Sequence, residues 1–151
     1  MRATLFYAYL SGEHPTLPLA ELRAILDVEA GHYGITLTLE QLALFEASTL
    51  DPAVIVERAG MVKEAGRVAA ICEADPRILN ECLADVEWGF LVRGGFAVRT
   101  RYIQGYAREA LPPDVAVRMV ASSVAGATGF PVSLDNPVAT VRVLVSEGVV
   151  V

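Results

Sequence analysis

Tyr33-Gly34-Ile35-Thr36-Leu37-Thr38-Leu39-Glu40-Gln41-Leu42-Ala43-Leu44-Phe45-Glu46-Ala47 reads as two short strands, Tyr33 to Leu39 and Leu42 to Ala47, folded back on each other around Glu40-Gln41. Before it, Thr4 to Leu10 is an apolar strand that Ser11-Gly12 ends. Thr16 and Pro18 then open a helix in which Leu19, Leu22, Ile25 and Leu26 recur at helical spacing, and Gly31 stops it. After the hairpin, Asp51-Pro52 pairs an N-cap with a proline at the first helical position. That helix runs through Arg58, Gly60 closes it, and Arg67 to Glu73 reads as a further strand. The hairpin therefore makes the first part of the chain β-α-β-β-α-β.

That order is the split βαβ of ferredoxin-like folds. The same opening device returns at Asp75-Pro76, with Ile78, Leu79, Cys82, Leu83 and Val86 as an apolar stripe running to about Trp88. A strand follows from the Gly94-Gly95 turn, then a helix from Pro112-Pro113-Asp114 to Gly126 and Gly129, with Val117, Val120, Ala121 and Val124 facing inward. Pro131 to Leu134 and Val138 to Val145 read as two last strands around Asp135-Asn136-Pro137. The expected class is α+β: a ferredoxin-like domain over residues 1–73 and an α/β domain over 74–151.

The chain has 151 residues, of which 54% are hydrophobic, enough for a packed core and too many for a disordered chain. No secretory signal is visible, and the longest uncharged run, Met119 to Leu134, is too short and too rich in serine, glycine and proline to span a bilayer. A soluble, cytoplasmic protein with no membrane partner is expected. The net charge of −6 is unevenly placed. After residue 90, six arginines stand against four acids, for +2; the first ninety residues carry −8. An acidic first part and a mildly basic second part point to two units with different roles.

The basic residues gather around Arg93-Gly94-Gly95-Phe96-Ala97-Val98-Arg99-Thr100-Arg101-Tyr102-Ile103-Gln104. With a two-residue alternation Phe96, Val98 and Tyr102 share one side of the strand and Arg99 and Arg101 the other. Residues two apart on a strand lie about 6.6 Å apart along it, close to the pitch of phosphates on one nucleic-acid strand. Arg99, Arg101, Tyr102, Gln104, Arg118 and Arg142 are the candidate RNA-binding residues.

Catalytic motifs are missing. There is no G-x-S-x-G, no Walker A, and no third glycine to make Gly94-Gly95 a dinucleotide fingerprint. Cys72 and Cys82 lack metal spacing and have only His14 and His32 to help, so no metal site is expected and both cysteines read as small buried hydrophobes. Glu13 and His14 form either an acid–base pair or, as adjacent turn residues usually do, part of a turn. Leu111-Pro112-Pro113-Asp114 and Asn136-Pro137-Val138 lack the polar, proline, proline, aromatic order that holds a target nitrogen in amino-group methyltransferases.

Leu10-Ser11-Gly12-Glu13-His14-Pro15-Thr16-Leu17-Pro18-Leu19-Ala20-Glu21-Leu22 resembles the opening of archaeal tRNA guanosine-N2 methyltransferases, which modify the guanosine at position ten. The second half resembles a THUMP domain, an RNA-binding module. Phe96-Ala97-Val98-Arg99-Thr100-Arg101 is similar to its first strand. Gly129 to Pro137, followed by Val141-Arg142-Val143, is similar to its closing hairpin, with Val138 where an aspartate is common. The resemblance implies a chain that grips the acceptor stem and 3′ CCA end of tRNA. A C-terminal Rossmann-like domain, absent here, would bind S-adenosylmethionine and methylate; this chain alone would have no cofactor and no catalytic residue. The open end at Val149-Val150-Val151 reads as a cut at a domain edge. Arg99 and Arg101 come with the motif; Tyr102, Gln104 and Arg118 come from their placement alone. Two rival readings are a small-ligand regulatory or oligomerisation domain of ferredoxin-like fold, and a stand-alone THUMP adaptor that presents tRNA to a separate enzyme.

Overall fold

A computed structural model describes residues 2–105 and 107–151, which divide into two compact units between Val68 and Ala69. The first contains β1 (Thr4–Leu10), α1 (Leu17–Glu29), β2 (Tyr33–Leu39), β3 (Leu42–Ala47), α2 (Pro52–Arg58) and β4 (Val62–Arg67). Its sheet has the order β2-β3-β1-β4 with every pair antiparallel, so β1 and β2 run the same way with β3 between them. Alternate residues Phe6, Ala8 and Leu10 of β1 and Ala43, Phe45 and Ala47 of β3 form one core with Leu22, Ile25 and Leu26 of α1 and Ile55 of α2. The Phe6 and Phe45 rings stack at its centre, 5.6 Å apart.

The polar opening string serves this packing. His14 Nδ1 accepts from the Thr16 and Leu17 amides, both at 3.1 Å, and so caps α1 in place of the Thr16 side chain. The Glu21 carboxylate accepts from the Gly60 and Met61 amides and ties α1 to the turn before β4. The Glu13 amide donates to Ser11 Oγ, so the backbone at Glu13 and the ring of His14 both serve the bend that leads into α1.

The second unit contains β5 (Cys72–Glu73), α3 (Pro76–Ala84), α4 (Trp88–Leu91), β6 (Phe96–Tyr102), a 3-10 turn (Ile103–Gly105), α5 (Pro113–Thr128), β7 (Ala139–Ser146) and β8 (Val149–Val150). Sheet order is β5-β8-β7-β6. β6 and β7 are parallel, joined by α5 as the crossover helix, while β7–β8 and β5–β8 are antiparallel. Phe96, Val98 and Tyr102 of β6 and Val143 and Val145 of β7 pack with Ala116, Val120 and Val124 of α5. Trp88 Nε1 donates to Ser123 Oγ at 2.9 Å, pinning α4 to α5. Together the units are a mixed α/β chain with two four-stranded sheets and five α-helices among the described residues.

Three elements differ from expectation. The fourth strand of the first sheet lies over Val62–Arg67, ahead of the strand expected over Arg67 to Glu73; of that stretch only Arg67 belongs to it, and Cys72–Glu73 pairs with β8 in the second sheet. The helix expected to reach Trp88 stops at Ala84, and a separate turn of helix begins at Trp88. Pro131 to Leu134 forms no hairpin with β7. It makes one parallel bridge, Val132 to Phe96, and the hairpin partner of β7 is β8, joined by Glu147 and Gly148, both at positive φ.

Candidate nucleic-acid interface

Burial of Phe96, Val98 and Tyr102 against α5 sends Arg99 and Arg101 to the opposite face of the second sheet. On β7, burial of Val143 and Val145 sends Arg142 to that same face. Register then brings the arginines together. Arg99 lies directly opposite Arg142 in the parallel β6–β7 pair. Neighbouring strands lie about 4.8 Å apart and alternate residues about 6.6 Å apart along a strand, so three guanidinium groups spring from one small area. Arg99 and Arg142 are exposed, as is Arg101. Arg99 Nη2 makes one long contact, 3.4 Å, to the Leu134 carbonyl.

The segment after α5 borders this face. The Phe96 amide donates to Pro131, the Ser133 amide to Phe96 and the Val138 amide to Gly95, which lays the segment along the start of β6. It leaves Val132, Leu134 and Val138 between half and three-quarters exposed. A Cβ on Gly94 would come within 2.9 Å of Val138, and one on Gly95 within 3.2 Å of the Ser133 Cβ. The two glycines therefore admit this segment. The apolar border was missed from sequence because these residues read as a strand; its signal was Val138, where the resemblance leads one to expect an acid.

The remaining candidates separate. Tyr102 is in the core, 7% exposed; its hydroxyl donates to the Leu111 carbonyl at 2.6 Å and Arg108 lies over its ring at 5.5 Å. Burial raises its pKa above the ordinary 10.0, an effect that Asp114 reinforces and Arg108 opposes. A ring so placed offers no base-stacking surface, which corrects the role expected of it. Gln104 is exposed in the 3-10 turn that follows β6, in the left-handed region at φ 60°. Arg118 sits on α5, across the sheet from the three arginines, and pairs with Asp114 one turn earlier at 3.3 Å, both side chains about three-quarters exposed. It does not join the cluster. Among the described residues no three His, Cys, Asp or Glu side chains gather where they could hold a metal ion.

No family model matches the chain. It is 27% identical, over 139 residues, to the tRNA (guanine(10)-N2)-dimethyltransferase of Methanothermobacter thermautotrophicus; the match takes in 91% of this chain and 40% of that protein. The chain thus spans about two fifths of the length of its curated relative. Among solved structures, TrmN from Thermus thermophilus superposes over 97% of the chain and 43% of its own, with a TM-score of 0.65 at 18% identity. PH1313 from Pyrococcus horikoshii Ot3 superposes over 97% of the chain and 52% of its own, with a TM-score of 0.57 at 12% identity. The class is therefore that of a chain sharing homology with a tRNA guanine-N2 dimethyltransferase and sharing its fold with these two structures. No helix among the described residues is long and apolar enough to cross a membrane.

Proposed function

We propose that this chain is the tRNA-binding part of an S-adenosylmethionine-dependent tRNA guanosine-N2 methyltransferase acting in the cytoplasm. The first unit is read as a ferredoxin-like domain, supported by its β2-β3-β1-β4 antiparallel sheet. The second is read as a THUMP domain, supported by the β6-α5-β7 crossover beneath the arginine face. Its role is to grip the acceptor stem and 3′ CCA end while a further domain, C-terminal to it, binds S-adenosylmethionine and methylates. The match to only two fifths of the curated relative leaves room for such a domain. No step of the methyl transfer is assigned to residues of this chain.

The observation that carries the reading is the register of Arg99 against Arg142, with Arg101 two residues on. A flexible single strand has phosphates at that pitch, and guanidinium groups bind phosphate oxygens in a bidentate way. Three charges give modest affinity that falls with salt.

The test is a gel-shift titration of the purified chain against one tRNA transcript, intact or lacking its 3′ CCA, at low and moderate salt. Tighter binding of the intact transcript is expected. Equal, negligible binding of both would count against an acceptor-end reader. Methylation of tRNA by the chain alone, given S-adenosylmethionine, would overturn the division of labour.

A further inference from the structure

The two cysteines of the chain, Cys72 and Cys82, belong to different elements of the second unit and stand side by side. Cys72 lies in β5, the edge strand, where it pairs with Val150 of β8. Cys82 lies on α3, and its thiol donates to the carbonyl of Ile71, the residue just before Cys72, at 3.9 Å. That contact sets the Cys82 thiol beside the backbone that leads into Cys72; both cysteines are free, and both keep some solvent exposure where buried small hydrophobes were expected.

We infer that Cys72 and Cys82 form a dithiol site that a low-molecular-weight disulfide closes reversibly into an intramolecular disulfide. The Cys82 thiolate attacks one sulfur of the external disulfide and expels the other as a thiolate. The Cys72 thiol then passes its proton to solvent and its sulfur attacks Cys82 Sγ, expelling the second thiol. Two cysteine thiols are oxidised to one disulfide, and the external disulfide is reduced to two thiols. Burial, the neighbouring Cys82 thiol and the charge of Glu73 push the Cys72 thiol up to about 12, so Cys72 is the resolving partner and closure speeds up toward alkaline pH. Asp75, which caps α3, and Glu81, next to Cys82, are the other carboxylates between the two cysteines in the chain, and Arg77 is the one cation there.

The consequence is structural. Closure joins β5 to α3 at the point where the second unit begins, and the ring of residues 72–82 includes the Asp75-Pro76 cap. A ring of that size removes freedom from the unfolded chain, and about 10 °C is the expected rise in the melting midpoint of the second unit.

The experiment incubates the full 151-residue chain with oxidised glutathione without denaturant, then blocks free thiols and digests with trypsin. Cleavage after Arg77 falls between the two cysteines, so closure appears as two tryptic peptides linked to each other. The expected result is that linked pair in monomeric protein, a higher melting midpoint, and return to both free thiols on adding a reductant. In the variant C72S the reaction should stop at a stable glutathione adduct on Cys82. Two unreacted thiols, or lasting glutathione adducts on the unaltered chain with no linked pair, would overturn the assignment.

Discussion

Arg99 and Arg142 face each other in register across a parallel strand pair, two like charges on neighbouring strands of one sheet face. Both lie on the face turned away from α5, which makes that face a place for a polyanion. Replacing Arg99 and Arg101 together by alanine should therefore weaken tRNA binding at least about tenfold, since two phosphate contacts of at least about 0.7 kcal/mol each would be lost. The slope of log affinity against log salt should flatten by about 1.4, the value for two phosphates on a single strand. Circular dichroism should show the double variant folded, because both side chains are exposed. Unchanged binding by the folded variant would remove the arginine face from the RNA interface.

Arg118 supplies the control for that experiment. It projects from α5, and the sheet lies between it and the other three arginines. Arg118→Ala should leave tRNA affinity within about twofold of the unaltered chain. Its exposed pair with Asp114 is a surface i,i+4 contact, so the loss of stability should be no more than about 0.5 kcal/mol in chemical denaturation. A loss of affinity as large as that of the Arg99–Arg101 variant would mean that RNA uses the helix side of the second unit.

What was legible in the sequence followed from how local the signal was. β1, β2, β3 and α2 begin and end where strand alternation, a two-residue turn and the Asp51-Pro52 start place them. β5 is two residues long and exists only through its pairing with β8, Cys72 with Val150, across most of the second unit's length. No local pattern marks such a pair, and the apolar run from Val68 to Cys72 made Arg67 to Glu73 look like one strand. Tyr102 was legible in part: its parity with Phe96 and Val98 placed it on the core side, which already conflicts with a surface role. The meeting of Arg99 with Arg142 was not legible, because it depends on β6–β7 register, and the helix pattern of α5 does not reveal which side of the sheet carries Arg118.

Gly66 is opposite Tyr7 in the β1–β4 pair, and a Cβ there would come within 2.8 Å of Tyr7 Cε1. The Tyr7 ring is buried and its hydroxyl donates to Glu64 at 2.8 Å, so it is not free to swing aside. Gly66→Ala should destabilise the first unit by about 1–3 kcal/mol through overpacking. Gly34→Ala, with no atom within 4 Å of the added methyl, is the comparison and should be far milder. Urea denaturation followed by hydrogen exchange of the β1 amides would separate the two; equal effects would mean that Tyr7 repacks without cost.

Tyr102→Phe tests both the core role of this ring and the alkaline limit of the second unit. Removing the hydroxyl leaves the buried Leu111 carbonyl without that donor, so stability at neutral pH should fall by about 1–2 kcal/mol. The pH dependence follows from the raised pKa. An unfolded chain loses the phenolic proton near 10.0, while the folded one holds it to higher pH. The hydroxyl's contribution is therefore complete below about pH 10 and is lost as the pH rises through the folded value, because the unfolded state then binds fewer protons than the native one. Trp88, the single tryptophan and a member of the same core, gives a fluorescence signal specific to this unit. Denaturant titrations read at Trp88 should show the unaltered chain losing stability above pH 10 more steeply than the phenylalanine variant. Since the Tyr102 ring is held in the core, tRNA affinity measured at neutral pH on folded Tyr102→Phe should be unchanged. Parallel pH curves would show that the Tyr102 proton is not held by the fold, and a lost affinity would return the ring to the RNA surface.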